Sequence, residues 1–486
     1  MNSLLKYISN TPQDKLDAGA ISFLAGYENV KEVSPDIAES ILNELIDQRT
    51  HLKLIASENF SSLRVQAAMG NLLTDKYAEG HPYHRFYAGC DNVDKIEAEA
   101  AGLACELFGA EYAYVQPHSG ADANMVAFLS ILVAKVEDPL MNALGADDVA
   151  KLSRSDFNKI REAYGTQKLL ALDYYSGGHL THGYRHNYSS ILFDVYSYTV
   201  DKETKLLDLD VIRKQLHEVK PLVFLAGYSA YPRSINFAKL RELADEVGAV
   251  FMVDMAHFAG LVAGGVFSGD YNPVPFAHVV TSTTHKTLRG PRGGFILSTK
   301  EYKDYFDKGC PSFLGGPLPH VMAAKAVAFK EALTPQFKEY AANITKNSNT
   351  LSQALIRRGV NVLTGGTDNH LMLLDVQDTY GLTGRQGESA LRASGFTLNR
   401  NALPFDENGP WYTSGLRIGT PAVTTLGMGD NEMELIADLI DNLLKNTKPV
   451  GTNRTAFETD PVVAEEVNEK VQELLLRFPL YPEIVI

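Results

Sequence analysis

The sequence predicts an α/β protein built on a mainly parallel sheet, and three punctuated stretches predict it. From Tyr112 a short strand pattern, YAYV, runs through QPHSGADAN into an apolar helical run, Met125 to Val133. Pro221 to Ala226 reads as a strand and Phe237 to Val247 as a helix with Leu240, Leu243, Ala244 and Val247 on one face. Gly248 stops that helix and Val250 to Val253 reads as the next strand. Val279 to Thr284 is a β-branched run that closes on His285 and Lys286. Strands alternating with helices in this way bury both faces of a parallel sheet.

The chain has 486 residues, of which 45% are apolar, enough for two or three domains and a large core. A net charge of −14 with no block of basic residues excludes a nucleic-acid surface. Cys90, Cys105 and Cys310 are widely spaced with no CxxC, so neither a disulfide framework nor a zinc ribbon is expected and the compartment is expected to be reducing. The opening MNSLLKYISNTPQDK has too short an apolar stretch for a signal peptide. Ala249 to Val266 is the greasiest stretch, but Asp254 and His257 interrupt it, so no membrane span is expected. A cytoplasmic protein follows from these readings.

Residues 1–50 read as an arm whose better helix is Pro35 to Gln48, with Ser34 as N-cap. IASENF (Ile55 to Phe60) and KYAEGHPYHRFYAGC (Lys76 to Cys90) match no clean period and read as loops rich in site-forming side chains. The small-residue turn at Ser119 and Gly120, between strand and helix, aims backbone N–H groups as a phosphate site does, although an ordinary βα turn has the same pattern. Ala134 to Leu172 is polar and reads as an exposed insert. SGGHLTHGYRH offers His179, His182 and His186, but Gly177, Gly178 and Gly183 break the helix a metal set would need, so no metal site is expected. Val321 to Leu333 is helical in pattern, and an amphipathic helix from Pro335 marks a change of domain. The division is then an arm over 1–50, a large domain over 51–333 carrying the insert, and a small α/β domain over 334–486. The last alternates strands such as Leu371 to Val376 with helices such as Asp430 to Leu444, and holds Arg417 within TSGLRIGTPA.

Polar residues therefore sit at three strand ends. Alone, Lys286 would be a solvated surface charge. With His285, Arg289 and Arg292 around it, its ammonium form is disfavoured and the free amine becomes available to attack a carbonyl. Asp254, at the carboxyl end of a buried parallel strand, needs a partner to offset its desolvation. A Schiff-base lysine, an aspartate for a pyridinium N–H, an imidazole to stack on a ring and a Gly/Ser phosphate turn are together the requirements of pyridoxal 5′-phosphate. An arginine in a second domain supplies a bidentate grip on an α-carboxylate.

THKTLRGPRGG, VDMAHFAGLVA, KYAEG, VQPHSGADAN, GGHLTHG, TGGTDNHL and SGLRIGTPA resemble, in order and over nearly the whole chain, the signature segments of the serine hydroxymethyltransferase family. The resemblance implies the aminotransferase-like fold of pyridoxal phosphate enzymes, with a mainly parallel seven-stranded sheet in the large domain, and an obligate homodimer with shared sites. It implies that Lys286 forms the Schiff base, that Asp254 pairs the pyridinium nitrogen and that His179 stacks on the ring. Ser229 and His257 bond near the cofactor, and Ser119 and Gly120 bind its phosphate. Thr283 and His285, just ahead of Lys286, join the catalytic group. Ser57 and Arg417 hold the substrate carboxylate. Glu79 shuttles the proton of the serine hydroxyl, Tyr77 and Tyr87 line the site from the neighbouring subunit, and Gly316 completes the phosphate cup across that interface. The substrates implied are serine, glycine and tetrahydrofolate as cosubstrate, with Tyr174, Gly178, Leu180 and Asn401 on the folate side.

The chain departs from the family pattern on that folate side and around the phosphate cup. The 134–172 segment is longer than usual and feeds into Tyr174, where a leucine is common; Ala121 replaces a second phosphate-binding serine and Leu314 a glutamine. The alternative is therefore a folate-independent member, an aldolase of 3-hydroxy amino acids or an alanine racemase. A non-catalytic scaffold is disfavoured because Lys286, Asp254 and Arg417 are all present. A nicotinamide dehydrogenase is disfavoured by the lack of GxGxxG.

Overall fold

The computed structural model describes Asn2–Val485. These residues form two compact units, one of Leu72–Ala342 and one joining the residues up to Asn71 with those from Asn343 onward.

The first unit is built on seven strands: β1 (Tyr112–Tyr114), β2 (Lys168–Leu172), β3 (Asp194–Tyr198), β4 (Val223–Gly227), β5 (Val250–Asp254), β6 (Val279–Thr283) and β7 (Gly294–Ser298). Their order in the sheet is β1-β7-β6-β5-β4-β2-β3. Only β7 runs against its neighbours β6 and β1. Every residue of β4, β5 and β6 is buried, as a sheet covered on both faces requires. In register, Gly227 lies beside Asp254 and Asp254 beside Thr281, so β4, β5 and β6 end together at one edge. That edge is where sheets of this kind bind ligands.

The helix Phe237–Val247 has the bounds its pattern predicts, with the Asn236 side chain capping the Lys239 N–H and Gly248 left-handed at φ 70°. The helix Gly120–Leu132 begins earlier than its apolar run, because Ser119 caps it. The 134–172 stretch differs from the exposed run expected. It carries short helices at Asp138–Leu144 and Arg154–Gly165, largely exposed, but its last five residues are the buried strand β2 between β3 and β4. A short apolar run behind a polar segment carries no period that separates a strand from a loop.

The second unit holds the helices Ser3–Asn10, Ala18–Val33 and Pro35–Thr50 and an antiparallel sheet of β8 (Leu371–Asp375), β9 (Asn399–Asn401) and β10 (Gly415–Gly419), ordered β8-β10-β9. Its core packs Ile436, Leu439, Ile440, Leu443 and Leu444 of the helix Asp430–Lys445 on Leu374, Leu416 and Ile418. Leu52–Lys53 pairs in parallel with Phe396–Thr397, which ties the start of the chain into this core. Ser34 precedes the helix Pro35–Thr50 with ψ at 83°, off the extended value that turns a hydroxyl toward the first helical N–H groups, and it makes no capping bond. Among the described residues no helix is long and apolar enough to cross a membrane.

Candidate functional site

Lys286 leaves the end of β6, and its Nζ donates to Thr283 Oγ1 at 3.1 Å. Thr283 Oγ1 in turn donates to the Ala256 carbonyl at 3.2 Å, and Thr287 Oγ1 donates to the His257 carbonyl at 2.8 Å while accepting from the Gly260 N–H at 2.9 Å. The loops after β5 and β6 are thus laced together by threonines. The two arginines of the lysine loop diverge. Arg289 stacks on Tyr340, 4.3 Å from the ring centroid. Arg292 stays electrically close to His285. Burial first, then the charges of Lys286 and Arg292, push the His285 imidazole down to about 3.

Asp254 is 7% exposed and accepts hydrogen bonds at both oxygens. Its Oδ2 accepts from Asn124 Nδ2 at 2.9 Å and lies 3.4 Å from His182 Nε2, while Oδ1 accepts from the Ala256 N–H at 3.0 Å. The same Asn124 Nδ2 also donates to Thr181 Oγ1 at 2.7 Å, and Asn124 Oδ1 accepts from Thr281 Oγ1 at 2.5 Å. Burial opposes ionisation of Asp254. The hydrogen bond and charge of His182, the charge of His179 and the Asn124 amide outweigh it and hold the carboxylate well below its ordinary range. His179 joins the network through Nδ1, 2.7 Å from Thr181 Oγ1.

Ser119 Oγ accepts from the Asp122 N–H at 3.1 Å and donates to Asp122 Oδ2 at 3.0 Å, so it starts the helix Gly120–Leu132 with that helix's positive end open toward the turn. A Cβ on Gly120 would lie 2.7 Å from Thr283 Cγ2, which places the turn directly against the end of β6. His118 Nε2 and His285 Nδ1 are buried with no hydrogen-bond partner. The Ser229 N–H donates to the Gly177 carbonyl at 2.7 Å. His257 is buried three residues beyond Asp254. Gly178 is pressed against the Leu172 carbonyl, where a Cβ would come within 2.1 Å. Tyr174 packs in an aromatic group with Tyr175 and Tyr184, at 5.3 and 5.0 Å between centroids, and Leu180 is exposed.

A second group gathers on the same unit. Tyr77 OH donates to Glu79 Oε1 at 3.0 Å, its ring meets that of Tyr87 edge-on at 4.9 Å, and a Cβ on Gly316 would lie 3.0 Å from Tyr77 Cζ. The Glu79 bond and charge raise the Tyr77 phenol. Arg85 holds the backbone on both sides of Glu79, donating from Nη1 to the Ala78 and Gly80 carbonyls at 3.0 Å each while pairing with buried Asp94 and Glu97. In the other unit Arg417 lies on β10 with Nε 3.3 Å from Asn399 Oδ1. The Leu54 carbonyl accepts from the Gly419 N–H at 2.8 Å, so the segment leading to Ser57 runs beside that strand. Asn401 Nδ2 donates to the Ala402 carbonyl at 2.7 Å.

Sequence reasoning missed Asn124, Thr181 and Thr281 and gave His182 only as a failed metal ligand. The signal for Asn124 was there, since it is an amide inside a helix whose inward positions are otherwise almost all apolar. Its partners lie 57, 130 and 157 residues away in sequence, which no local pattern reveals.

The strand-end lysine, the ionised buried aspartate and the helix-start turn, gathered at the carboxyl edge of a mainly parallel sheet, define an α/β enzyme of the aminotransferase-like class. Residues 30–162 and 157–440 match the serine hydroxymethyltransferase family. Similar proteins include the serine hydroxymethyltransferase of Treponema pallidum, 59% identical over 489 residues that cover 99% of this chain and 85% of the relative. That of Cutibacterium acnes is 52% identical over 98% of each chain, and that of Mycolicibacterium smegmatis 53% identical over 97% and 96%. The chain belongs to the serine hydroxymethyltransferase family, whose fold is that of the aminotransferase-like pyridoxal phosphate enzymes.

Proposed function

We propose that this protein interconverts serine and glycine with tetrahydrofolate, yielding 5,10-methylenetetrahydrofolate, by means of pyridoxal 5′-phosphate. The observation that carries the reading is Asp254, a buried carboxylate held ionised at a strand end beside the strand that delivers Lys286. A buried carboxylate with every oxygen oriented and low proton affinity is what keeps a pyridine nitrogen protonated. The partnerless buried nitrogens of His118 and His285, and the glycine-tight turn at Gly120, also suit a ring and phosphate in this place.

When bound, pyridoxal 5′-phosphate supplies an aldehyde for an amine and a cationic ring that takes up the electron pair left on Cα. In this reading Lys286 holds the aldehyde carbon, Asp254 holds the proton on the ring nitrogen, and His179 covers the ring. Ser119 and Gly120 hold the phosphate, Ser229 and His257 orient the ring substituents, and Thr283 and His285 fix the lysine. Arg417 with Ser57 takes the substrate carboxylate. Glu79, kept in place by Tyr77 and by Arg85 behind it, removes the proton of the serine hydroxyl as the Cα–Cβ bond breaks. Tyr174, Gly178, Leu180 and Asn401 belong to the folate side. The division into an arm over 1–50, a large domain over 51–333 and a small domain over 334–486 is part of the same proposal.

We further place the protein in the cytoplasm, as a homodimer in which Tyr77, Glu79, Tyr87 and Gly316 serve the partner's site. The exposure of Tyr83 and Phe86 at 70% and 71%, with Tyr77 and Tyr87 half exposed, supports an aromatic face meant for cover. Cys90, Cys105 and Cys310 as free thiols suit a reducing compartment. The test is turnover of serine by the purified holoprotein with and without tetrahydrofolate, alongside formation of D-alanine from L-alanine. Folate-dependent glycine formation is expected. Folate-independent cleavage or racemisation as the main activity would replace this reading with the alternative.

A further inference from the structure

Behind the Ser119–Gly120 turn lies a charged side chain to which the reaction above gives no role. Lys325, on the helix Pro319–Ala332, is 1% exposed. Its ammonium donates to the carbonyls of Val115 at 2.6 Å, Pro117 at 2.9 Å and Gly294 at 2.8 Å, which uses all its N–H groups. Val115 and Pro117 lie between β1 and Ser119. Gly294 opens β7, opposite Thr283 in register. The Gly294 N–H itself donates to the Pro117 carbonyl at 3.0 Å, and a Cβ on Gly294 would fall 2.2 Å from the Ser119 carbonyl. One ammonium therefore joins the chain entering the turn to the strand that pairs with the end of β6.

The environment of that ammonium is also unusual in what it lacks. None of its hydrogen-bond partners is a carboxylate. Burial pushes it down to about 7, while Glu97, on the helix Asp91–Phe108, and Asp122, in the first turn of Gly120–Leu132, act on it only through space and in the opposite direction. A methionine would fill the same length without desolvating a charge. An ammonium whose charge burial disfavours, set behind a helix start, is one that an anion in front of that start would stabilise.

We propose that Lys325 is the positioning residue for the cofactor's phosphate, bracing the Ser119–Gly120 turn against Thr283 through the carbonyls it bonds and supplying behind it a positive charge that a bound phosphate would stabilise. This rests on the reading that the turn receives the phosphate of pyridoxal 5′-phosphate. The role is indirect: Lys325 acts through backbone carbonyls and through its field. Its effect should follow the phosphate and not the ring.

The test compares Lys325→Met and Lys325→Gln with the wild type, each stripped of cofactor. Dissociation constants are measured by titration for pyridoxal 5′-phosphate, for unphosphorylated pyridoxal, and for inorganic phosphate as competitor, with circular dichroism to report folding. Lys325→Met is expected to weaken pyridoxal 5′-phosphate and phosphate by about thirtyfold or more while changing pyridoxal less than about threefold. Lys325→Gln, which keeps two N–H donors but no charge, should fall between. Equal losses for pyridoxal and its phosphate ester, unchanged affinity for the ester, or failure of both variants to fold would each overturn the proposal. A wild type that takes up no pyridoxal 5′-phosphate would remove the proposed function itself, whereas normal uptake by wild type and both variants removes only the role given to Lys325.

Discussion

The two groups of chemistry-bearing residues on the larger unit are built in opposite ways. Around Asp254 both carboxylate oxygens are answered from within the chain: Asn124, His182 and the Ala256 N–H reach them, and Thr181 and Thr281 hold Asn124 in turn, in a buried lattice. Around Glu79 the backbone is gripped from behind by Arg85, but the side chains face outward, with Tyr77 52% and Tyr87 48% exposed. The contrast teaches that burial in one chain measures completeness. A closed lattice fixes a charge state at the cost of adaptability, whereas an open group on a rigid footing is suited to completing something else.

The strongest way to break that contrast uses both groups at once. Lys286→Ala and Glu79→Gln should each lower turnover by roughly a hundredfold or more. Mixed after co-refolding, the two inactive variants should regain up to about a quarter of wild-type activity, because a closed twofold dimer of one of each leaves one unaltered site in half of the dimers. No recovery would show that Glu79 serves the chain that carries it.

A smaller effect sharpens the view of the closed lattice. Asn124→Leu leaves Asp254 and Thr281 without their shared partner and should cost about 1–3 kcal/mol of stability in urea unfolding, with weaker cofactor uptake. Stability unchanged within error would mean that the lattice is not energetically connected.

Acid titration gives the third test. His285 takes up its proton only near pH 3 in the folded chain but near 6.5 when unfolded. Between those values the unfolded chain binds more protons, so stability falls as pH drops from about 6.5, with a slope of at most about 1.4 kcal/mol per pH unit from this group. His285→Asn should flatten that part of the profile, measured by unfolding at several pH values; an unchanged slope would assign it to other groups. The smallest effect belongs to the open group. Tyr77→Phe removes the exposed bond to Glu79 and should leave the unfolding midpoint unchanged within error while lowering turnover several-fold. A large loss of stability there would contradict the reading of an outward face.

Much of this was legible in the residues. The helix Phe237–Val247 and the strands on either side of it announce themselves because a one-faced helical period, a stop glycine and short apolar runs are local signals. Lys286 and Asp254 stood out for the same reason: a charge at the end of an apolar strand is visible without its neighbours. Strand β2 was hidden, since a short apolar run behind a polar stretch has no period of its own. Asn124 and His182 were seen as letters but not as partners, because what gives them meaning is Asp254, brought near by sheet order. Lys325 was invisible in kind, since a lysine in a helical pattern reads as surface until tertiary packing encloses it.

The unit that begins the chain also ends it. Tyr7, Leu24, Leu45 and Phe60 pack with Ala422, Leu480 and Ile484. On a ribosome adding about 5–20 residues per second, the opening helices wait roughly 20–80 seconds for those partners to be made. During that interval a greasy leading segment is without its mate, so nascent-chain crowding or a stalled message should favour sticking between neighbouring growing chains at this end first.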